Sequence, residues 1–196
     1  MKKVIPNDAI LIPEGASCVF NGHIFDVYQW PQELYDGSEA TFEMLKRADT
    51  TNVICIDEDK IIIIDDEQPN RGSLKTFPGG RIDPEDTDIQ TGAAREVLEE
   101  IGYSFANWRL IKVEQPIRKI EWFVYLYVAW GKTDQTTPHH DPGEKITVRP
   151  VTFEELKDIV MSGDGYLGES AELFKDLHNV DDLMAIPEFQ GKEVDR

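Results

Sequence analysis

The chain has 196 residues, a length that suits one compact domain with a small appendage. Apolar residues make up 40% and charged residues 30%, a soluble globular composition with enough apolar surface for a core. The formal net charge of -18 disfavours nucleic acid and anionic membranes as stable partners, and an anionic ligand would need bound cations or local Arg and Lys to cancel the field.

Two cysteines, Cys18 and Cys55, form no CxxC pair, and Cys55 sits in the apolar run Val53-Ile54-Cys55-Ile56, as a small core residue would. That usage fits a reducing compartment. Pro6, Asn7 and Asp8 interrupt the start of the chain before a signal-peptide apolar region can form. The longest apolar stretch, 122–130, is far short of a membrane span. The expected location is cytoplasmic.

Residues 1–45 read as a small antiparallel β appendage. Short β-like runs at 10–12, 18–20, 23–30 and 41–45 are broken by turn signals. Asn21-Gly22 is a hairpin signal between the second and third, and Asp36-Gly37-Ser38 is a loop. Two strands follow at 52–56 and 60–65, around the polar turn Asp57-Glu58-Asp59. Ile61-Ile62-Ile63-Ile64 is a continuous β-branched run, which predicts a strand buried on both faces. A loop is expected over 67–78 and a helix over 91–101, ended by Gly102 as a left-handed residue just past the last turn. Strands at 108–113 and 122–129 come next. The polar loop over 132–144 carries His139 and His140, both expected to be solvated. A strand at 146–151 leads into Thr152-Phe153-Glu154-Glu155, a capping box that should start a helix, and 170–177 is expected to be the last helix. Strands and helices do not alternate regularly, so the pattern predicts a mixed sheet with helices packed on it and not a doubly wound unit.

The helix over 91–101 carries the chemistry. Glu96, Glu99 and Glu100 are spaced i, i+3, i+4, which puts three carboxylates on one helical face. Arg95 stands four residues before Glu99 and can pair with it, while Ala93, Val97, Leu98 and Ile101 are left to pack into the core. Hard cations such as Mg2+ and Mn2+ take oxygen ligands and share them with substrate phosphates. A solvated acidic face with intrahelical ion pairs is the competing interpretation of the helix by itself. Phe77-Pro78-Gly79-Gly80 lies ahead of the helix, and its glycines let the backbone approach a ligand closely.

From Gly80 to Tyr103 the chain reads GRIDPEDTDIQTGAAREVLEEIGY. This segment resembles the Nudix box: a glycine, a spaced acid, an arginine–glutamate pair, an apolar residue, two glutamates and a glycine. The stretch from Arg95 to Tyr103 matches throughout. Ahead of it, Glu85 or Asp86 replaces the spaced glutamate, and one extra residue separates Gly80 from Arg95. The resemblance implies an α/β fold: a Nudix-type α/β/α sandwich with a mixed central sheet, here as a hydrolase domain over 46–196 behind the appendage over 1–45. It implies Mg2+ or Mn2+ held by Glu96, Glu99, Glu100 and the Gly79 carbonyl, with Arg95 orienting the glutamates. Bound divalent ions make a water nucleophilic and neutralise charge on phosphate oxygens, which is how an acidic protein can take an anion.

Outside the box, 42–49 and the stretches Glu144-Lys145-Ile146-Thr147 and Val151-Thr152-Phe153-Glu154-Glu155-Leu156 resemble the ADP-ribose and nucleotide-sugar pyrophosphatase branch. In that branch the N-terminal sheet often exchanges between subunits, which implies a homodimer. An acid in the loop before the last strand acts there as base or further ligand. Glu144 occupies the matching place, Asp141 is a second candidate, and Glu99 is another candidate base. Arg71, Arg81 and Arg118 lie near the box or the next strand junction and are candidates for phosphate or ribose contacts. The series Trp122, Phe123, Tyr125, Tyr127 and Trp130 should be mostly core, with one face able to stack a nucleobase. The leading expectation is metal-dependent hydrolysis of ADP-ribose or a nucleotide sugar to a nucleoside monophosphate and a sugar phosphate. The alternatives are a nucleoside triphosphate or dinucleoside polyphosphate as substrate, or a nucleotide-sensing Nudix domain without turnover.

Overall fold

The computed structural model describes residues 1–69, 71–140 and 142–196. Four strands lie ahead of residue 50. The first, β1 (Lys2–Ile5), pairs antiparallel with the last strand of the chain, and Ile5 is fully buried in the main core. The other three, β2 (Ser17–Asn21), β3 (Asp26–Glu33) and β4 (Glu39–Lys46), form the antiparallel part of the appendage. Asn21 pairs with Asp26, so the hairpin turns over 22–25 and β3 starts later than expected. Residues 10–12 form no strand; Ile12 is buried instead, its amide donating to the Glu121 carboxylate at 2.7 Å.

The hairpin of β5 (Thr50–Asp57) and β6 (Lys60–Gln68) closes where Asp57 pairs with Lys60. All four isoleucines of the β6 run are buried. Because strand side chains alternate by face, Ile62 and Ile64 join one core and Ile61 and Ile63 the other, as the run predicted. Burying such a side chain stabilises the fold by about 1.5–3 kcal/mol. The expected loop over 67–78 contains a strand, β7 (Gly72–Thr76). β6 is longer than its pairing with β5, and its unmet backbone groups take β7 on the same edge, Gly72 turning back at φ 71°.

The helix α1 (Ile89–Ile101) starts two residues before expectation, with the Asp88 side chain accepting from the Thr91 amide at 2.7 Å. Gly102 ends it at φ 74°. Next come β8 (Tyr103–Glu114), the short β9 (Ile120–Glu121), β10 (Val124–Gln135) and β11 (Lys145–Val151). Thr152 and Glu155 form the capping box of α2 (Phe153–Ser162). The single helix expected over 170–177 is replaced by a 3-10 turn (Gly165–Ser170), α3 (Ala171–Phe174) and α4 (Val180–Met184). Lys157 reaches the carbonyls of Lys175 and Leu177, and Asn179 caps a new helix, so one continuous helix cannot form. The chain ends in β12 (Lys192–Asp195), the partner of β1.

The main sheet runs β11-β6-β5-β10-β8, with β7 on β6; β5 and β10 are parallel and the other pairs antiparallel. One face packs α1, and the other packs α2, the 3-10 turn, α3 and α4. This is the expected α/β/α sandwich with a mixed sheet. The small sheet is not wholly antiparallel, because β9 joins β4 in parallel. Among the described residues, no helix is long and apolar enough to cross a membrane.

Candidate active site

The glycine loop is stitched to the main sheet like an extra strand. Val53 and Thr51 donate to the carbonyls of Pro78 and Gly80, each at 2.8 Å, and Ile82 donates to Asp49 at 2.9 Å. At Gly79, φ is 142°, and a Cβ would stand 2.2 Å from the Thr51 carbonyl oxygen. At Gly80 a Cβ would stand 2.6 Å from the Glu96 carboxylate. Only glycine lets the loop pass between β5 and the acidic helix.

On α1, Ile89, Ala93, Val97 and Ile101 face the core, and Glu100 is buried beside them. Leu98, expected in the core, is 40% exposed. The three glutamates therefore do not share one environment: Glu100 is buried, Glu96 is nearly so, and the Glu99 side chain is 46% exposed. Arg95 organises the outer ones. Its guanidinium donates to Glu96 at 2.9 Å, to Glu99 at 3.0 Å, to both oxygens of Asp86 at 3.2 and 3.1 Å, and to the Arg81 carbonyl at 2.8 Å. Asp86, and not Glu85, is the acid that meets the helix; Glu85 is exposed. The hydrogen bond from Arg95 holds the Asp86 carboxyl below the usual range, and the acids in turn raise the Arg95 guanidinium.

Glu100 has no ion pair among the described residues; the Gly79 amide donates to it at 2.7 Å. Burial, opposed by that amide and reinforced by Glu96, Glu144 and Asp66, pushes its carboxyl up to about 9. Burial, opposed by Arg95 and reinforced by Glu99 and Glu144, pushes Glu96 up to about 7. Two buried carboxylates one turn apart, only one of them touched by a cation, are a donor set suited to a hard divalent ion. Among the described residues no three His, Cys, Asp or Glu side chains already converge on a common point, so the glutamates would have to draw in around such an ion.

Of the expected 132–144 loop, residues 132–135 extend β10, and 136–140 are tied to the end of α1 rather than simply solvated. Thr136 donates to the Gly102 carbonyl at 2.7 Å and His139 to the Glu99 carbonyl at 2.8 Å, while the His140 ring nitrogen meets the Glu100 carbonyl at 3.0 Å. These bonds satisfy carbonyls that a helix end leaves without partners. They carry the chain to Glu144, whose charge acts on both Glu96 and Glu100. Asp141 lies outside the described residues.

The three candidate arginines separate. Arg81 is 63% exposed, pairs with Asp83, and lines an open cleft of about 640 Å³ together with His23, Lys46, Arg47 and Asp49. Arg71, at the β6–β7 turn, pairs with Asp66. Arg118 pairs with Asp8 at 3.0 Å and does not line that cleft. Sequence reasoning missed Arg47, whose guanidinium lies 4.7 Å from the Trp122 ring centroid and 5.6 Å from that of Phe25. It also missed Asp66, a buried acid on β6. Neither carries a local signal, since both depend on which strands meet. Phe123, Tyr125 and Tyr127 are core residues as expected.

A family model described as NUDIX domain matches residues 46–169. The chain belongs to the NUDIX family and is a Nudix hydrolase. A solved ADP compounds hydrolase is similar in fold, with a TM-score of 0.65 at 19% identity, covering 88% of this chain and 97% of that one. MutT from Aliivibrio salmonicida and Vibrio cholerae gives a TM-score of 0.49 at 17% identity, covering 66% of this chain and 94% of that one. No curated protein matches the chain.

Proposed function

We propose that the chain hydrolyses the pyrophosphate bond of a nucleoside diphosphate derivative, ADP-ribose or a nucleotide sugar, to a nucleoside monophosphate and a sugar phosphate. The observation that carries this is the Glu96–Glu100 pair, buried against the Gly79-Gly80 loop with Glu144 close by. Glu96, Glu99, Glu100 and the Gly79 carbonyl would hold Mg2+ or Mn2+. Those ions, when bound, supply charge neutralisation on the bridging oxygens and a water of lowered pKa. Arg95 restricts the rotamers of Glu96 and Glu99, so the carboxylates would draw in on loading from a narrowed set of positions. Glu144 or Glu99 accepts the proton of the attacking water. The open cleft beside the glycine loop, with Arg47 and Arg81 in its wall, takes the nucleoside half.

The substrate branch is supported by the sequence features at 42–49 and 144–156 and by the likeness in fold to the ADP compounds hydrolase. We take residues 1–45 as an appendage to a catalytic unit over 46–196, acting in a homodimer in the cytoplasm, with no nucleic acid or membrane partner. The exposed β2 strand supports the dimer, and the unpaired cysteines support the compartment. The test is a panel of ADP-ribose, several nucleotide sugars and nucleoside triphosphates, each with Mg2+ and with Mn2+, with products identified. AMP plus ribose phosphate, or a nucleoside monophosphate plus sugar phosphate, is the expected outcome. Release of inorganic pyrophosphate or phosphate would move the assignment to triphosphates, and binding without turnover would make this a sensor.

A further inference from the structure

We propose that Asp66 and Tyr166 are positioning residues that hold Arg71 where it contacts the substrate pyrophosphate. The inference rests on the pyrophosphatase function proposed above. It begins in the sheet. β6 gives its edge to β5 at residues 60–62 and to β7 at 64–68, while β5 carries the 78–82 stretch along its other half. The chain therefore crosses from β6 to β5 at Phe77, immediately ahead of the Gly79-Gly80 loop. Strand alternation sends Asp66 to the same face as Ile62 and Ile64, which is the α1 face. Glu144 directly precedes β11, whose Ile146 and Val148 pack on the same core. The Asp66 charge accordingly acts on Glu100, as does that of Glu144.

A third acid at that place works against binding a pyrophosphate unless a cation accompanies it. Arg71 is that cation. Its Nη2 donates to the Asp66 carboxylate, and its guanidinium lies 5.3 Å from the Tyr166 ring centroid. Tyr166 also hydrogen-bonds the guanidinium, and Gln68 donates to the same Asp66 oxygen at 3.2 Å, so the planar fork is gripped at an edge and across a face. Asp66 is 9% exposed, while the Arg71 side chain keeps 28% exposure and stays reachable. Asp66 Oδ1 and Arg71 Nε are both buried with no hydrogen-bond partner among the described residues. A purely structural ion pair would close on itself, as Arg95 does on Asp86, whose two oxygens it meets at 3.2 and 3.1 Å. Unmatched buried groups are rare in folded proteins, so this pair is not optimised as an ion pair alone, and the exposed part of the guanidinium is left for a ligand. Tyr166 comes from the 3-10 turn, which packs on β7, so the grip joins the two sides of the sheet edge.

The sign of one variant separates this role from plain electrostatics. If Asp66 were only a negative charge near the phosphates, Asp66→Asn would tighten binding. If it positions Arg71, the same change weakens it. Binding of ADP-ribose and of UDP-glucose is measured by calorimetry with Ca2+ present, in the full-length protein, alongside Mn2+ affinity by electron paramagnetic resonance. Arg71→Ala and Asp66→Asn are each expected to weaken nucleotide binding by about 10-fold or more, the loss of one charge-assisted contact. The double variant should bind no more weakly than Arg71→Ala alone. Tyr166→Ala should show a smaller loss, and Mn2+ affinity should shift by no more than about 5-fold throughout, the scale of one nearby charge. Unchanged or tighter nucleotide binding in Asp66→Asn overturns the proposal. So does a double variant whose losses multiply, or a larger fall in Mn2+ affinity confined to Asp66→Asn, which would make Asp66 a metal ligand. Wild type that binds neither nucleotide overturns it as well. Wild type that binds but hydrolyses nothing with Mg2+ or Mn2+ defeats the pyrophosphatase function and leaves the Arg71 arrangement standing.

Discussion

The main sheet and the small sheet of β2, β3, β4 and β9 finish in opposite states. In the main sheet, β5, β6 and β10 bury both faces, and Ile54, Ile61, Ile62, Ile63 and Ile64 are almost wholly inaccessible. In the small sheet, every residue of β2 is exposed, Phe20 at 61% and Val19 at 52%. The difference lies in what covers them. The main sheet has helices on both sides, whereas among the described residues no helix packs extensively on the small one. One sheet is therefore a rigid frame that can hold acids in register for chemistry. The other leaves apolar residues of its edge strand at the surface, which the proposed dimer would cover.

Four changes probe that contrast. Ile63→Ala, in the main sheet, should cost about 2–5 kcal/mol in urea denaturation, because a buried side chain leaves a cavity; a small cost would mean the frame is looser than its burial implies. Glu100→Gln should lower kcat by about 100-fold or more while the fold stays intact, the scale of loss for a central electrostatic group. Melting above pH 7 should stay level or rise in that variant, because burial disfavours the charge that is removed. Unchanged turnover would remove Glu100 from the metal site.

The third change is pH. With the folded Glu100 and Glu96 carboxyls raised to about 9 and about 7, the native chain holds protons that the unfolded chain releases near the ordinary carboxylate value. The metal-free protein should therefore lose stability as pH rises through that window. Divalent ions bind the deprotonated form, so the rise in Tm produced by Mg2+ should be larger at pH 8 than at pH 6. A pH-independent gain in Tm, followed by thermal denaturation in both buffers, would place the ion elsewhere. The smallest effect belongs to the other sheet. Phe20→Ser should change monomer stability by no more than about 0.5 kcal/mol, as for most surface positions, yet lower the dimer fraction in sedimentation. A large stability loss without a change in association would mean that the strand is covered by its own chain.

Much of this was legible along the sequence because the causes are local. The Ile61–Ile64 run, the Gly102 terminus, the Thr152 capping box and the Asn21-Gly22 hairpin each rest on neighbours within a few residues, and each is present. The elements that escaped are those with distant causes. β7 forms because β6 outlasts its pairing with β5, and β1 forms because β12 returns from the far end of the chain. The same division holds in the site. The glutamate spacing, Arg95 on Glu99 and the close approach at Gly79 could be derived from α-helical geometry and glycine sterics.

By itself, then, the sequence determined the acidic helix and the isoleucine strand, since periodicity and backbone sterics act over one or two turns, and it marked the family through the resemblance of residues 80–103 to the Nudix box. Only the tertiary structure decided which acids lose their water. It buried Glu100 and left Glu99 half open, chose Asp86 over Glu85 as the partner of Arg95, and brought Asp66 from another strand to the same face. Desolvation and Coulomb forces depend on what packs across a gap, and no spacing along the chain encodes that distance.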